Sequence, residues 1–305
     1  MESDTFSAAI PSFPDFTPIS LDISDEMHAR LSMASDGISE FSFGGFYLFR
    51  MRYQYKVSVF GEKTLIISGV QPPHTPEEEG KSFFSTPWAL PNRDILEELF
   101  RTHDYWKNIP ESLVIPNKDY LGELGIEIAE DRDNFDYLYQ RTDLAELRGK
   151  KYHKKRNLVA QFLKLYTHEE KPLIRKRVPD AMEVLEAWKI EKGTDGDYVA
   201  CREALELLNE LNMQGLLFYI DGKPAGWCLG ETIAQGRYFT IHFEKGLEPY
   251  KGIYQFINQS FASSLPESIT HINREQDLGN EGLRQAKMTY RPSDFVRKYT
   301  GHLKR

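Results

Sequence analysis

The stretch Ile241-His242-Phe243-Glu244-Lys245-Gly246 carries an imidazole and a carboxylate two residues apart, in a segment whose apolar alternation marks a strand. Period-two alternation puts His242 and Glu244 on one face. Either group can take a proton from an attacking amine or hydroxyl; Glu244 is the first choice for general base and His242 for an acceptor contact. The chain then runs through Leu247-Glu248-Pro249-Tyr250-Lys251-Gly252 into a helix. Free N–H groups at a helix start attract anions, so Lys251 and Gly252 are expected to touch a donor phosphate. The corresponding loop of the first half, Ser85-Thr86-Pro87-Trp88-Ala89-Leu90-Pro91-Asn92, has two prolines and no glycine. Proline offers no N–H, so one half is expected to work and the other to support it.

A second polar set lies between residues 270 and 292. A short strand delivers Asn273, Arg274, Glu275 and Asp277 into a loop, and a compact helix follows, with Asn280 as its N-cap and Glu281 in its first turn. Pro292 ends it. Helical spacing groups Leu283, Lys287 and Tyr290 on one face and Arg284, Lys287 and Arg291 on an adjoining ridge. Tyr290 is the candidate for protonating a leaving group, Lys287 for steadying an oxyanion. Arg274, Asp277 and Arg284 are the candidates for orienting an acceptor.

The third set is a basic run. Arg148, Lys150, Lys151, Lys154, Lys155 and Arg156 fall within residues 143–166, which read as the longest helix of the chain. Its apolar stripe passes through Leu144, Leu147, Leu158, Phe162 and Leu165, and Lys151 and Lys155 fall on that stripe. Lysines in line with core positions need a wet cleft or an anion, which makes Lys151, Lys155 and Arg156 candidate phosphate contacts.

Around these sets the 305 residues are enough for two cores, with 40% hydrophobic and 13% aromatic residues. Two cysteines, Cys201 and Cys228, are too few for a disulfide framework and lack metal-ligand spacing. No metal is expected. The start of the chain has no basic region followed by an apolar run, and no stretch nears the roughly 20 apolar residues that cross a bilayer. A cytoplasmic protein, or one peripheral at the inner membrane, is expected. A net charge of −8 argues against broad coating of nucleic acid, though not against a local basic site.

Both halves read helix, helix, hairpin, strand, loop, helix, strand, helix. The first has helices at 21–33 and 38–53, the latter interrupted near Gly44-Gly45. It continues with a hairpin at 55–68, a loop marked by Pro72-Pro73 and Glu77-Glu78-Glu79, a strand at 82–88, a helix at 93–103 and a strand at 112–115. The second has helices at 181–192 and 202–212, a hairpin turning at Asp221-Gly222, a strand at 237–244, a helix at 254–264 and strands at 269–273 and 295–299. The expectation is an α+β fold of two similar units, residues 1–166 ending in the basic helix and residues 167–305 holding the active site. Each would be antiparallel at its hairpin and parallel at its later crossover.

Lys150-Lys151-Tyr152-His153-Lys154-Lys155-Arg156-Asn157, His242-Phe243-Glu244-Lys245 and Asn273-Arg274-Glu275-Gln276-Asp277-Leu278-Gly279 together resemble bacterial proteins related to the C-terminal domain of phosphatidylglycerol lysyltransferase. Gly282-Leu283-Arg284-Gln285-Ala286-Lys287 and Tyr290-Arg291-Pro292 extend the resemblance, which covers nearly the whole chain. More distantly the chain is similar to Fem-type peptidyltransferases. The resemblance implies two tandem Gcn5-related N-acyltransferase-like domains, each a mixed, mostly antiparallel sheet flanked by helices, joined by the basic helix. It also implies aminoacyl transfer from charged tRNA to an amine or hydroxyl such as a lipid head group. The alternatives are acetyl-CoA-dependent acetylation of a small amine and non-catalytic ligand binding. Of the superfamily's acetyl-CoA loop, Gln/Arg-x-x-Gly-x-Gly/Ala, the run Pro249-Tyr250-Lys251-Gly252-Ile253-Tyr254 keeps only the middle glycine.

Overall fold

A computed structural model describes residues 10–72 and 80–304. The loop expected at Pro73 and Glu77-Glu78-Glu79 and the first nine residues of the chain lie outside that range. In chain order the elements begin with β1 (Thr17–Pro18), α1 (Ser24–Leu31), α2 (Phe43–Tyr53), β2 (Lys56–Phe60), β3 (Thr64–Val70) and β4 (Ser82–Ser85). Then come α3 (Arg93–Thr102), β5 (Tyr105–Pro110), α4 (Glu111–Glu123), β6 (Ile126–Glu130), β7 (Asp136–Gln140), α5 (Arg141–Glu146) and α6 (His153–Leu165). The second half continues with β8 (His168–Pro172), α7 (Val178–Lys192), α8 (Tyr198–Glu206), β9 (Gln214–Ile220), β10 (Lys223–Ile233) and β11 (Tyr238–Gly246). It closes with α9 (Ile253–Ser264), β12 (His271–Asn273), α10 (Glu281–Met288), β13 (Asp294–Val296) and β14 (Lys298–Leu303).

These form two seven-stranded sheets, ordered β1-β2-β3-β4-β5-β14-β6 and β13-β7-β12-β11-β10-β9-β8. The first sheet is parallel at β4–β5 and the second at β11–β12, each crossover running through one helix. The fold is therefore the expected α+β class of tandem acyltransferase-like units. The division of the chain differs from a cut after residue 166. One unit runs to Asp136 and takes back the chain from Val296 onward; the other is Tyr137–Phe295. β7, from the first half, pairs with β12, whereas β14, from the end of the chain, sits between β5 and β6. Local periodicity cannot announce such pairings, because they join residues more than 100 apart.

In the second unit, Asp221 and Gly222 both take positive φ (49° and 77°), the two-residue turn that matches strand twist. α7 covers one face of the sheet, where buried Trp227 donates its indole N–H to the Ala181 carbonyl at 3.0 Å. α9 covers the other face with Phe256, Ile257 and Phe261, and α6 packs on α9 by stacking Phe162 against Phe256, centroids 4.3 Å apart. Each such buried ring contributes about 1.5–3 kcal/mol. In the first unit Phe84, Trp106 and Ile109 pack beneath α3 and α4 through Leu96, Leu99 and Leu121.

Three local expectations are corrected. The helix expected across 143–166 is broken: Leu147 caps α5 in the left-handed region (φ 50°), Gly149 follows at φ 84°, and α6 begins only at His153. The longest helix is α7. The strand expected at 112–115 is the start of α4, whose Leu113-Val114-Ile115 imitates a strand and whose Pro116 sits inside the helix. Gly44 and Gly45 do not interrupt α2; they lie in its first turn, where Ser42 accepts the Gly45 N–H at 3.1 Å. Among the described residues no helix is long and apolar enough to cross a membrane.

Candidate active site

The parallel ladder of β11 and β12 is short. It pairs Tyr238 with His271, Phe239 with Ile272 and Thr240 with Asn273, and then ends while β11 continues along β10 to Gly246. Side chains beyond the last pair fill the opening between the two strands. From β11 comes Glu244, from the loop after β12 comes Arg274, and α9 supplies Asn258. The Arg274 guanidinium approaches both Glu244 oxygens (3.3 and 3.4 Å) and donates to Asn258 Oδ1 at 2.7 Å. Asn258 closes the ring by donating to Glu244 Oε2 at 2.8 Å.

Tyr290, just past α10, is buried beside this ring. The Arg274 guanidinium lies 5.3 Å from its ring centroid and Lys155 Nζ, from α6, 3.8 Å. Tyr139 of β7 meets Tyr290 edge-on, centroids 6.5 Å apart, and donates its hydroxyl to the Lys287 carbonyl at 2.9 Å. Burial pushes the Glu244 carboxyl above its ordinary range, and Arg274, Lys245 and Asn258 only partly restrain it. Burial likewise carries the Tyr290 hydroxyl up to about 12 despite the neighbouring Arg274. Lys155 shifts down, first through burial and then through repulsion by Arg274. A buried carboxyl raised in pKa and a buried phenol, with cations 3.8 and 5.3 Å from the phenol ring, are groups of the kind that exchange protons.

His242 does not join them. A bulge between the Leu229 and Gly230 pairings leaves it the extra residue of β11. Its imidazole is shut between Glu275 (2.7 Å) and Glu231 (3.0 Å), both nitrogens engaged. Burial opposes its charge, but the two carboxylates overcome this and hold the imidazolium to about pH 10. That is a fixed cation, not a base or an acceptor contact.

Lys287 is also committed elsewhere. Its ammonium donates to the carbonyls of Arg274 (2.6 Å), Glu275 (3.0 Å) and Gln276 (2.5 Å), pinning the loop that carries Arg274. Asp277 and Arg284 pin the same loop from the other end: Arg284 donates to both carboxylate oxygens at 2.9 and 2.8 Å, and the Tyr137 hydroxyl adds a bond of 2.6 Å. All three thus hold Arg274 in place from behind. Asn280 caps α10 as expected, accepting from the Leu283 N–H at 3.0 Å.

The expected phosphate contacts separate as well. Lys151 is half exposed and paired with Asp143 at 2.7 Å. Arg156 folds back on the carbonyls of Leu147 and Gly149. The loop before α9 spends its N–H groups internally: Glu248 N–H on Glu191 (3.1 Å), Tyr250 N–H on Leu247 and Lys251 N–H on the Tyr166 hydroxyl (3.2 Å). Gly252 (φ 87°) is pressed against α6, so that a Cβ there would lie 2.6 Å from the Leu158 carbonyl. α6 thus lies over the start of α9, and Lys251 and Gly252 do not form an open anion cradle.

Asn258, Tyr139 and Gln255, which bonds Tyr290, were not singled out by sequence reasoning. Asn258 did leave a signal: it interrupts the apolar face of α9 between Phe256, Ile257 and Phe261, the same anomaly that marks Lys155 on α6.

A mixed sheet flanked by helices, whose two parallel strands part after three residue pairs, is the Gcn5-related acyltransferase-like fold. The chain belongs to the family of phosphatidylglycerol lysyltransferase, C-terminal, whose pattern matches residues 33–301. It is similar to a conserved protein of unknown function from Bacteroides thetaiotaomicron, 27% identical, TM-score 0.83, over 95% of this chain and 99% of that one. The C-terminal domain of a putative lysylphosphatidylglycerol synthetase from Agrobacterium fabrum shares the fold at 15% identity and TM-score 0.61, over 94% of this chain and 93% of that one. So does L-PGS from Bacillus licheniformis, at 13% identity and TM-score 0.60, over 96% and 93%.

Proposed function

We propose that this chain transfers an aminoacyl group from charged tRNA to an amine or hydroxyl acceptor such as a lipid head group, at the opening between β11 and β12. The observation that carries this reading is the Glu244–Asn258–Arg274 ring set against Tyr290. Glu244 takes the proton of the attacking amine or hydroxyl as its lone pair adds to the ester carbonyl. Arg274, held by Glu244 and Asn258, supplies positive charge beside the oxyanion that forms. Collapse expels the donor's ribose alkoxide, which takes a proton from Tyr290; a phenol at about 12 is a suitable partner for so basic a leaving group. The proton on Glu244 then returns through solvent to Tyr290. The phosphatidylglycerol lysyltransferase family to which the chain belongs supports transfer of an aminoacyl group.

The test is donor discrimination. Purified protein is incubated with acetyl-CoA or with a pool of charged tRNA, plus an extract of amines and lipids, following loss of thioester or ester. Enzyme-dependent loss of the aminoacyl ester is expected. Loss of thioester alone would overturn the tRNA reading in favour of acetylation. Loss of neither would leave a ligand-binding protein.

A further inference from the structure

The six cations of the basic run meet different fates, and one fate is unusual. Arg148 pairs with Glu146 at 2.8 Å, Lys151 with Asp143 at 2.7 Å, and Arg156 binds backbone carbonyls. Lys150 and Lys154 are exposed to water. Lys155 is half-buried, its Nζ 3.8 Å from the Tyr290 centroid, and among the described residues no carboxylate pairs with it. Its nearest charged neighbour in the site is another cation, Arg274, whose own carboxylate Glu244 is shared with Asn258. Two cations therefore face one carboxylate in a desolvated place. A ring face offsets only part of that imbalance.

Resting on the acyl-transfer reading of this site, we infer that Lys155 receives one phosphodiester group of the donor, the one that travels with the leaving alcohol. Three observations favour this assignment. Lys155 lies on Tyr290, the residue that protonates the leaving group, so an anion bound there is carried by the donor. The Arg274 fork is already spent on Glu244 and Asn258, so a planar carboxylate gains no two-pronged contact, whereas a phosphate is well served by a point charge such as lysine. Lys150 and Lys154, exposed on the same run, add the positive charge that draws a polyanion to a chain whose whole charge is −8.

The experiment is titration calorimetry of the full chain with three soluble probes: the trinucleotide CCA, glycerophosphoglycerol and inorganic phosphate. The proteins are wild type, Lys155→Met and Lys155→Arg. CCA is expected to bind wild type at least about tenfold tighter than Lys155→Met, with Lys155→Arg recovering most of the loss. The slope of log Kd against log salt should fall by about 0.7 in Lys155→Met, the signature of one single-strand phosphate contact removed. Thermal melting of Lys155→Met should be unchanged or higher, because a half-buried unpaired charge is gone. Equal CCA affinity and slope in wild type and Lys155→Met, or no CCA binding by wild type, would overturn the inference. A Lys155-dependent response confined to glycerophosphoglycerol would overturn it too, moving the contact to the acceptor. The two readings fail separately. Ester consumption that ignores Lys155 removes the inference and leaves acyl transfer standing. Lys155-dependent CCA binding without ester consumption keeps the contact and removes the transfer chemistry.

Discussion

The two sheets part their parallel strands in the same way and fill the openings differently. In the first unit the β4–β5 ladder ends after Phe83–Tyr105 and Phe84–Trp106, and the gap is stitched at once: Ser85 donates its hydroxyl to the Lys107 carbonyl at 2.7 Å. The Lys107 ammonium turns to Gln71 at 2.5 Å and lies over the rings of Phe83 and Tyr53. In the second unit the corresponding place holds Glu244, Asn258, Arg274 and Tyr290. One opening is a packed aromatic seam with a lysine in it, and the other gathers an acid, an amide, a guanidinium and a phenol. Topology builds the opening, and the side chains beyond the last paired residues decide whether it can do chemistry.

The largest effect expected from this contrast is on rate. Glu244→Gln keeps an oxygen to accept the Asn258 hydrogen bond but removes the base, so turnover of the donor ester should fall by about 10²–10⁴-fold. Melting should fall, because the buried Arg274 loses its carboxylate partner, although burial already works against that carboxylate and softens the loss. Ser85→Ala, at the matching place in the first unit, should change turnover by no more than about twofold while costing about 1 kcal/mol of stability. Steady-state rates and melting curves of both variants check this. Equal losses of rate would mean that both openings serve the reaction.

A second contrast concerns buried cations. Each unit clamps one between two carboxylates: His242 between Glu231 and Glu275, Lys298 between Asp136 (2.7 Å) and Glu40. Burial opposes both charges, and the acids raise both above their ordinary values, His242 to about 10. For a raised base the added stability is complete below the unfolded value, about 6.5 for histidine, and is lost as pH climbs to the folded one. The stability cost of His242→Gln should therefore shrink by on the order of 3 kcal/mol between pH 6 and pH 10. The cost of Lys298→Met should stay level over the same range, since that lysine keeps its proton in both states. Urea denaturation at a series of pH values measures both. A pH-independent cost for His242→Gln would mean a neutral imidazole and a different hydrogen-bond pattern.

The difference between the units also explains what could be read in advance. Glu244 and Tyr290, singled out as acid–base candidates, Arg274, singled out for the acceptor, and Lys155, singled out for a phosphate, drew attention because each is a polar group at a strand end, in a loop or on an apolar stripe. The structure gathers them in one place. Asn258 carried the same mark on α9 but is small and neutral, so it drew no attention. Lys287, Asp277 and Arg284 were legible as polar but not as to role, because a side chain's partner is a tertiary fact: the same lysine can face an oxyanion or three carbonyls. His242 was misjudged for a similar reason, since strand alternation assumes no bulge. The hairpins, crossover helices and caps followed from turn residues and periodicity. The places of β7 and β14 did not, because they depend on contacts with strands far along the chain. The break at Leu147 was hidden because Leu144, Leu147, Leu158 and Phe162 keep helical spacing across it, although Lys151 interrupts the stripe and Gly149 lies at the break.

The smallest contrast separates a glycine needed for packing from one needed only for its turn. Gly252 and Gly125 both have positive φ, 87° and 74°. Around Gly125 a Cβ would meet nothing within 4 Å, so Gly125→Ala bears only the left-handed backbone strain, about 1 kcal/mol. At Gly252 the same strain is joined by a backbone contact, because the Leu158 carbonyl would lie 2.6 Å from the new Cβ and α6 must move away from α9. That displacement loosens the stacking of Phe162 on Phe256, so Gly252→Ala should cost about 2–3 kcal/mol. The loss should be visible in urea denaturation without any probe present, and any fall in CCA affinity should come with it, because the displaced α6 carries Lys155. A Gly252→Ala protein as stable as Gly125→Ala but impaired in anion binding would return this glycine to the phosphate cradle that its sequence context first suggested.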